Sequence, residues 1–255
     1  MASARCGEGP READKNRAHP ETGAPKARRQ HLSERKLSYE TVHENRYSVG
    51  EEIANAVTHG IGAALAIAAL VVMVVQAARR GDARHVVGYA VFGSTLFLSY
   101  ISSTIYHALA APRAKRVFEV LDHSAIFVLI AGTYTAFTLT LLPGALGWTI
   151  FGLVWGIAAA GVTFKAVFFD RARLLSVLAY VGMGWIIVFA FEPLKAAAPK
   201  LAVDLLIAGG VTYTVGALIY AIGKKVPYLH SVWHLFVLGG AACHVFSALA
   251  ALPPA

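Results

Sequence analysis

The sequence predicts an all-α membrane protein, a seven-transmembrane helix bundle with its N-terminus in the cytoplasm and its C-terminus outside. Three observations lead there. The chain is 56% hydrophobic and only 15% charged over its 255 residues, whereas soluble domains carry about a quarter charged residues. The apolar residues arrive in long runs, each near the ~20 residues a helix needs to cross the hydrocarbon core. None of these runs shows the alternating pattern of a barrel strand.

Residues 1–46 are rich in charge, Pro, Gly and Ala and nearly free of aromatics. Such a composition buries too little apolar surface to order itself, so a disordered cytoplasmic tail is expected, with a short amphipathic lead-in near Tyr47. It contains no apolar h-region of a cleavable signal, so insertion is expected to begin with the first span. Residues 47–255 are read as one seven-transmembrane domain. Its spans are placed at about 52–77, 86–110, 118–141, 146–168, 174–192, 203–222 and 229–250. Charged and helix-breaking residues separate them: Arg79-Arg80-Gly81-Asp82, Pro112-Arg113, Pro143-Gly144, Asp170-Arg171, Glu192-Pro193 and Lys224-Lys225-Val226-Pro227. Glycines inside the spans suit close helix packing in lipid.

The formal net charge of +8 comes from the tail and the short loops, where Lys and Arg set topology. No basic groove interleaved with aromatics is present, which argues against nucleic acid as a partner; membrane lipid is the expected one. Arg113, Lys115, Arg116, Lys165, Arg171, Arg173, Lys224 and Lys225 fall on the side of the tail. Arg79, Arg80, Arg84, Lys195 and Lys200 fall on the other. The positive-inside rule therefore makes the tail side cytoplasmic, in a multi-pass protein of the cell's inner (plasma) membrane. Cys6 and Cys243 lie too far apart in kind and place to pair, and no CxxC is present.

Polar residues inside a bilayer are unfavourable unless they have work to do. Four groups stand out: Glu52, Asn55, Thr58 and His59 at the start of span 1; Ser99, Ser103 and His107 late in span 2; Asp122 and His123 early in span 3; His230 and His234 at the start of span 7. With the expected topology all four lie in the cytoplasmic half of the membrane. His230 and His234 are four apart and share one helix face. With His107 they supply three neutral imidazoles, the protein share of a catalytic zinc shell, and Asp122 at the same depth can hold or deprotonate water. Other polar residues have plainer readings. His123 is taken as a headgroup-level residue. His59 is either a supporting partner or a packing residue. His244, nearer the outer leaflet, is taken as structural, and His85 belongs to an outer loop. Glu192-Pro193 marks an outer helix end, and Lys165 snorkels toward the interface.

At these residues the chain resembles the bacterial hemolysin III proteins, grouped with the progestin and adiponectin receptor family and more distantly with alkaline ceramidases. The segments that carry the resemblance are Glu52-Ile-Ala-Asn55-Ala-Val-Thr58-His59-Gly60-Ile-Gly62, Ser103-Thr-Ile-Tyr-His107, Leu121-Asp122-His123-Ser124 and His230-Ser-Val-Trp-His234-Leu-Phe. They occur in the family's order and cover all seven spans from about residue 47, leaving out the tail. The resemblance implies a seven-helix bundle and Zn2+ held by His107, His230 and His234. It also implies that Asp122 lies near the zinc water, and the Ser103 position matches too. Asp122 and Ser103 are therefore the expected catalytic residues, and Glu52, Asn55 and His59 are expected to support the site. The leading expectation is a zinc-dependent hydrolase of lipid amides or esters. The alternatives are a non-enzymatic membrane-homeostasis sensor or receptor with structural zinc, and a cytolysin that makes membrane lesions. Largely apolar spans with no long polar stripe argue against a wide pore.

Overall fold

The computed structural model describes residues 47–168, 173–222 and 226–254. The tail expected at 1–46, Asp170-Arg171 and Lys224-Lys225 lie outside them. Among the described residues the regular secondary structure is all helical, and seven helices are long and apolar enough to cross a membrane: α1 (Val49–Arg80), α2 (Ala83–Ala108), α3 (Pro112–Leu141), α4 (Ala145–Phe168), α5 (Leu174–Ala197), α6 (Lys200–Ile222) and α7 (Leu229–Ala250). The chain is a multi-pass membrane protein.

The helices overrun the apolar segments because polar residues continue and cap them beyond the hydrocarbon. Ser48 opens α1 with a capping box: its hydroxyl accepts from Glu51 N at 3.3 Å while its own N–H donates to Glu51 Oε2 at 2.8 Å. Arg79 and Arg80 close the helix, where cations suit the dipole. Asp82 caps α2, accepting from the N–H groups of Arg84 and His85 at 3.0 and 3.1 Å. Pro112 takes the first position of α3, where its missing N–H leaves nothing unsatisfied. At the start of α6 an exposed Lys200–Asp204 pair at 2.6 Å adds a turn before the apolar run.

Two expectations need correction. Glu192-Pro193 does not end a span. Span α5 tightens into a 3-10 turn at Trp185–Ala190 and resumes as an α-helix at Phe191–Ala197. Pro193 then lies in a first turn, the one place in a helix that tolerates it. Lys165 does not snorkel: it is only 1% exposed, inside α4.

Helices α1 to α4 pack in sequence order, α6 packs along α7, and α7 returns to pack on α1, while α5 touches its neighbours only lightly. The most enclosed helix is α3. Its Thr133, Thr135 and Thr138 each donate to the carbonyl four residues back at 2.8–2.9 Å, so polar side chains satisfy themselves in surroundings without water. Gly88 lets α2 approach closely: a Cβ there would stand 3.1 Å from the Cα of Ala136 on α3. At the end of the bundle away from the four polar groups, Tyr89 donates to the carbonyl of Ala248, Ser247 donates to the carbonyl of Ala202 at 2.6 Å, and Arg80 donates to that of Pro253 at 2.9 Å. These bonds tie α1, α2 and α6 to the C-terminal end of the chain.

Candidate metal centre

The start of α1, the end of α2, the start of α3 and the start of α7 meet at one end of the bundle, bringing together the four polar groups picked out above. His107 closes α2, and His230 and His234 occupy the first turns of α7. One ligand nitrogen from each of the three lies within 4.8 Å of the others. The ring centroids are 5.2 Å apart for His107–His230, 5.3 Å for His107–His234 and 4.6 Å for His230–His234.

Hydrogen bonds fix how two of these rings present themselves. His107 Nδ1 stands 2.6 Å from Glu52 Oε2. A carboxylate only accepts, so Nδ1 carries the proton and the lone pair is on Nε2. That Nε2 is buried and has no hydrogen-bond partner. The other Glu52 oxygen takes a hydrogen bond from Lys115 Nζ at 2.7 Å, which offsets the carboxylate's charge. Thr58 donates to the carbonyls of Ala54 and Asn55, at 2.8 and 2.9 Å, so its oxygen accepts from His234 Nδ1 at 3.0 Å. His234 therefore also offers Nε2. The carboxylate behind His107 and the hydroxyl behind His234 orient these two rings and make them better donors. An orphaned buried nitrogen beside two further imidazoles fits a single cation with a liking for neutral imidazole.

The supporting residues divide. Glu52 and Thr58 touch ligand rings directly. Asn55, fully buried, accepts from Ser231 at 2.6 Å and so ties α1 to the α7 turn that carries His230 and His234. His59 stacks face to face on His234, with centroids 3.5 Å apart and planes 8° apart, and neither of its nitrogens has a hydrogen-bond partner. Tyr47 covers the cluster, 5.0 Å from His230 and 5.7 Å from His107.

A cavity of about 210 Å³ extends from this end along the bundle. His59, Ser103, Asp122, His123, His230 and His234 line one end of it, and mostly apolar side chains line the rest. Ser103 is 1% exposed and its hydroxyl stands beside the Asp122 carboxyl. The reading of His123 as a headgroup-level residue is corrected. It donates from Nδ1 to the carbonyl of Glu119 at 2.8 Å, and its Nε2 sits 3.2 Å from the Tyr220 hydroxyl, inside the bundle. His85 stays outside the site, at the α1–α2 turn. Its ring bonds Asp82 at 2.7 Å, and that contact, with the capping N–H groups, holds the Asp82 carboxyl below the usual carboxylate range. Cys243 is a free thiol on α7.

Lys115, Tyr47 and Tyr220 were not singled out from the sequence. Lys115 reads there as one more loop cation, and only its place one turn into α3 brings it to Glu52. The signal for Tyr47 is a lone aromatic just ahead of the Ser48 cap.

The sequence profile described as "Haemolysin-III related" matches residues 47–245. Hemolysin-3 of Bacillus cereus is 47% identical over 201 residues, covering 79% of this chain and 91% of that protein. A Hemolysin-3 homolog of Bacillus subtilis (strain 168) is 46% identical, covering 80% of this chain and 95% of that protein. The human monocyte to macrophage differentiation factor is 23% identical over 77% of this chain and 82% of its own length. No solved structure matches.

Proposed function

The chain belongs to the haemolysin-III related family, and from that premise we propose that it is a zinc-dependent hydrolase of lipid amides or esters working inside the bilayer. One observation carries the proposal: three imidazoles converge, and two of them, His230 and His234, line one end of an apolar cavity that also exposes a carboxyl, Asp122. His107, His230 and His234 would hold the metal. Zinc supplies a Lewis acid for a carbonyl oxygen and makes water more acidic. Glu52 and Thr58 keep the proton of His107 and His234 on Nδ1, away from the ligand positions. Asp122 orients an attacking water and takes its proton. Ser103, beside it on the cavity wall, offers its hydroxyl to the developing charge. The apolar lining accepts the chain of the lipid and excludes bulk water.

The same reading carries the sidedness argued from the Lys and Arg distribution: N-terminus cytoplasmic, C-terminus outside, the site in the cytoplasmic leaflet of the plasma membrane. The test pairs metal content with turnover of a ceramide-like amide by purified protein. His234→Ala should lose both, and Asp122→Asn should keep the metal and lose turnover. Undiminished lipid hydrolysis by metal-free His234→Ala would sink the proposal.

A second reading, a sensor with structural zinc, draws on the way Glu52 binds α1 to both His107 and Lys115, joining three helices at the site. It predicts that metal removal unfolds the bundle while Asp122→Asn leaves function intact.

A further inference from the structure

The far part of the cavity carries two polar atoms that nothing among the described residues satisfies. His244 on α7 and Tyr213 on α6 both line the cavity, with ring centroids 5.3 Å apart. His244 Nε2 donates to the carbonyl of Leu206 at 3.3 Å, which leaves Nδ1 as an acceptor. That Nδ1 and the Tyr213 hydroxyl are both buried without a hydrogen-bond partner.

Tyr134, Thr214 and Thr133 on the same wall are paired. Tyr134 donates to the carbonyl of Gly184 at 2.8 Å and accepts from Ile187 N at 2.8 Å. Thr214 donates to Gly210 and accepts from the Trp185 indole. Thr133 donates to Leu129. Buried polar groups in hydrocarbon surroundings are normally paired, so two orphans on neighbouring rings point to an occupant.

The two helices are also cut to seat these rings. A Cβ on Gly209 of α6 would come within 2.6 Å of His244 Nε2, and one on Gly240 of α7 within 2.8 Å of the Tyr213 ring. Each helix thus places a glycine opposite the other's aromatic.

A hydroxyl matches what is on offer. It donates to His244 Nδ1 and accepts from the Tyr213 hydroxyl, using both groups at once. Between His234 and His244, α7 rises roughly 15 Å at the standard pitch. We infer that the deep end of the cavity is a hydroxyl-binding subsite, and that the preferred lipid bears a hydroxyl on its chain about 15 Å from the group at the three histidines. The inference rests on the lipid-hydrolase reading for the kind of molecule in the cavity, and deepens it by naming the substrate class.

The experiment compares binding of ricinoleic and oleic acids, a pair that differs by one mid-chain hydroxyl, to the full protein in lipid nanodiscs. Wild type should bind ricinoleic acid about tenfold more tightly, the worth of meeting buried orphan groups. Tyr213→Phe and His244→Leu should each reduce that preference to near unity and leave oleic acid binding unchanged. Equal binding of the two acids by wild type would assign the two atoms to a buried water and overturn the inference, as would a preference that survives both substitutions. Binding is read without turnover, so the two readings fail separately. A hydroxyl preference without hydrolysis of any ricinoleoyl amide removes only the hydrolase. Hydrolysis of plain and hydroxylated amides at equal rates and equal affinities removes only the subsite.

Discussion

Glu52→Gln is the most informative single perturbation of the site. In the wild type one carboxylate makes two charge-assisted contacts, 2.6 Å to His107 Nδ1 and 2.7 Å to Lys115 Nζ. The amide keeps the shape but loses the charge, and can turn an NH2 toward His107 Nδ1. The ring is then less firmly held with its proton on Nδ1, and Nε2 becomes a poorer ligand. Loss of such an outer partner lowers metal affinity by about 10–100-fold, or roughly 1.4–2.7 kcal/mol. The assay is a zinc competition titration against a chelator of known affinity, in detergent at fixed pH. A double-mutant cycle supplies the control. If Glu52 acts through His107, then Glu52→Gln in a His107→Ala background should change zinc affinity by less than about twofold. A wild-type-like affinity in the single mutant would refute the argument. So would an equal loss in both backgrounds, which would mean that Glu52 affects the site through the general stability of the bundle.

Thr58→Val removes the acceptor behind His234 Nδ1 and should weaken zinc by about tenfold, with Thr58→Ser restoring it; the same titration reads this. Gly147→Ala should destabilise the bundle by about 1–3 kcal/mol, because a Cβ there would meet the Leu142 carbonyl oxygen at 1.8 Å; thermal unfolding in detergent measures it. The Asp82 carboxyl is held below its ordinary range by His85 and the capping N–H groups. Its capping is therefore in full force above the ordinary carboxylate range and fades as pH falls through the lowered value. Hydrogen exchange at the Arg84 and His85 amides should accelerate, relative to the general pH trend, in that acid window, and Asp82→Ala should show the faster exchange at neutral pH.

The spans were legible because bilayer thickness imposes a length that few other constraints impose; five lie within three residues of both expected bounds, while α3 starts earlier and α5 ends later than expected. Convergence of the histidines was legible for a related reason: the order of spans decides which helix ends are neighbours. What escaped depends on rotation and on cross-helix distance, which no linear pattern encodes. His123 reads as interfacial until Tyr220, far along the chain, is seen to meet it. Lys165 reads as a snorkelling cation but is enclosed. The break in α5 has only a faint signal, Gly182 and Gly184 just before the 3-10 turn begins at Trp185, because glycines are also common in unbroken membrane helices. His244 looks structural in sequence, and its unmet Nδ1 emerges only when Leu206 is found to take the other nitrogen.

The capping box at the head of α1 also governs the angular setting of the site. Glu51, besides closing the box on Ser48, accepts from Tyr228 N at 2.9 Å. Tyr228 holds a left-handed backbone, φ 61°, immediately before α7, a costly conformation for a bulky residue. Glu52, the next residue, faces α2 instead, about 100° around the helix. Two consecutive carboxylates thus address two different neighbours, and α1 works as an indexing pin between the helix that carries His107 and the helix that carries His230 and His234. A one-residue deletion between Glu52 and Asn55 would turn the pin by that same step, uncoupling the two halves of the site while every histidine remained in the chain. Changes of chain length near residue 53 should therefore be far less tolerated than most single substitutions on the lipid-facing side of the same helix.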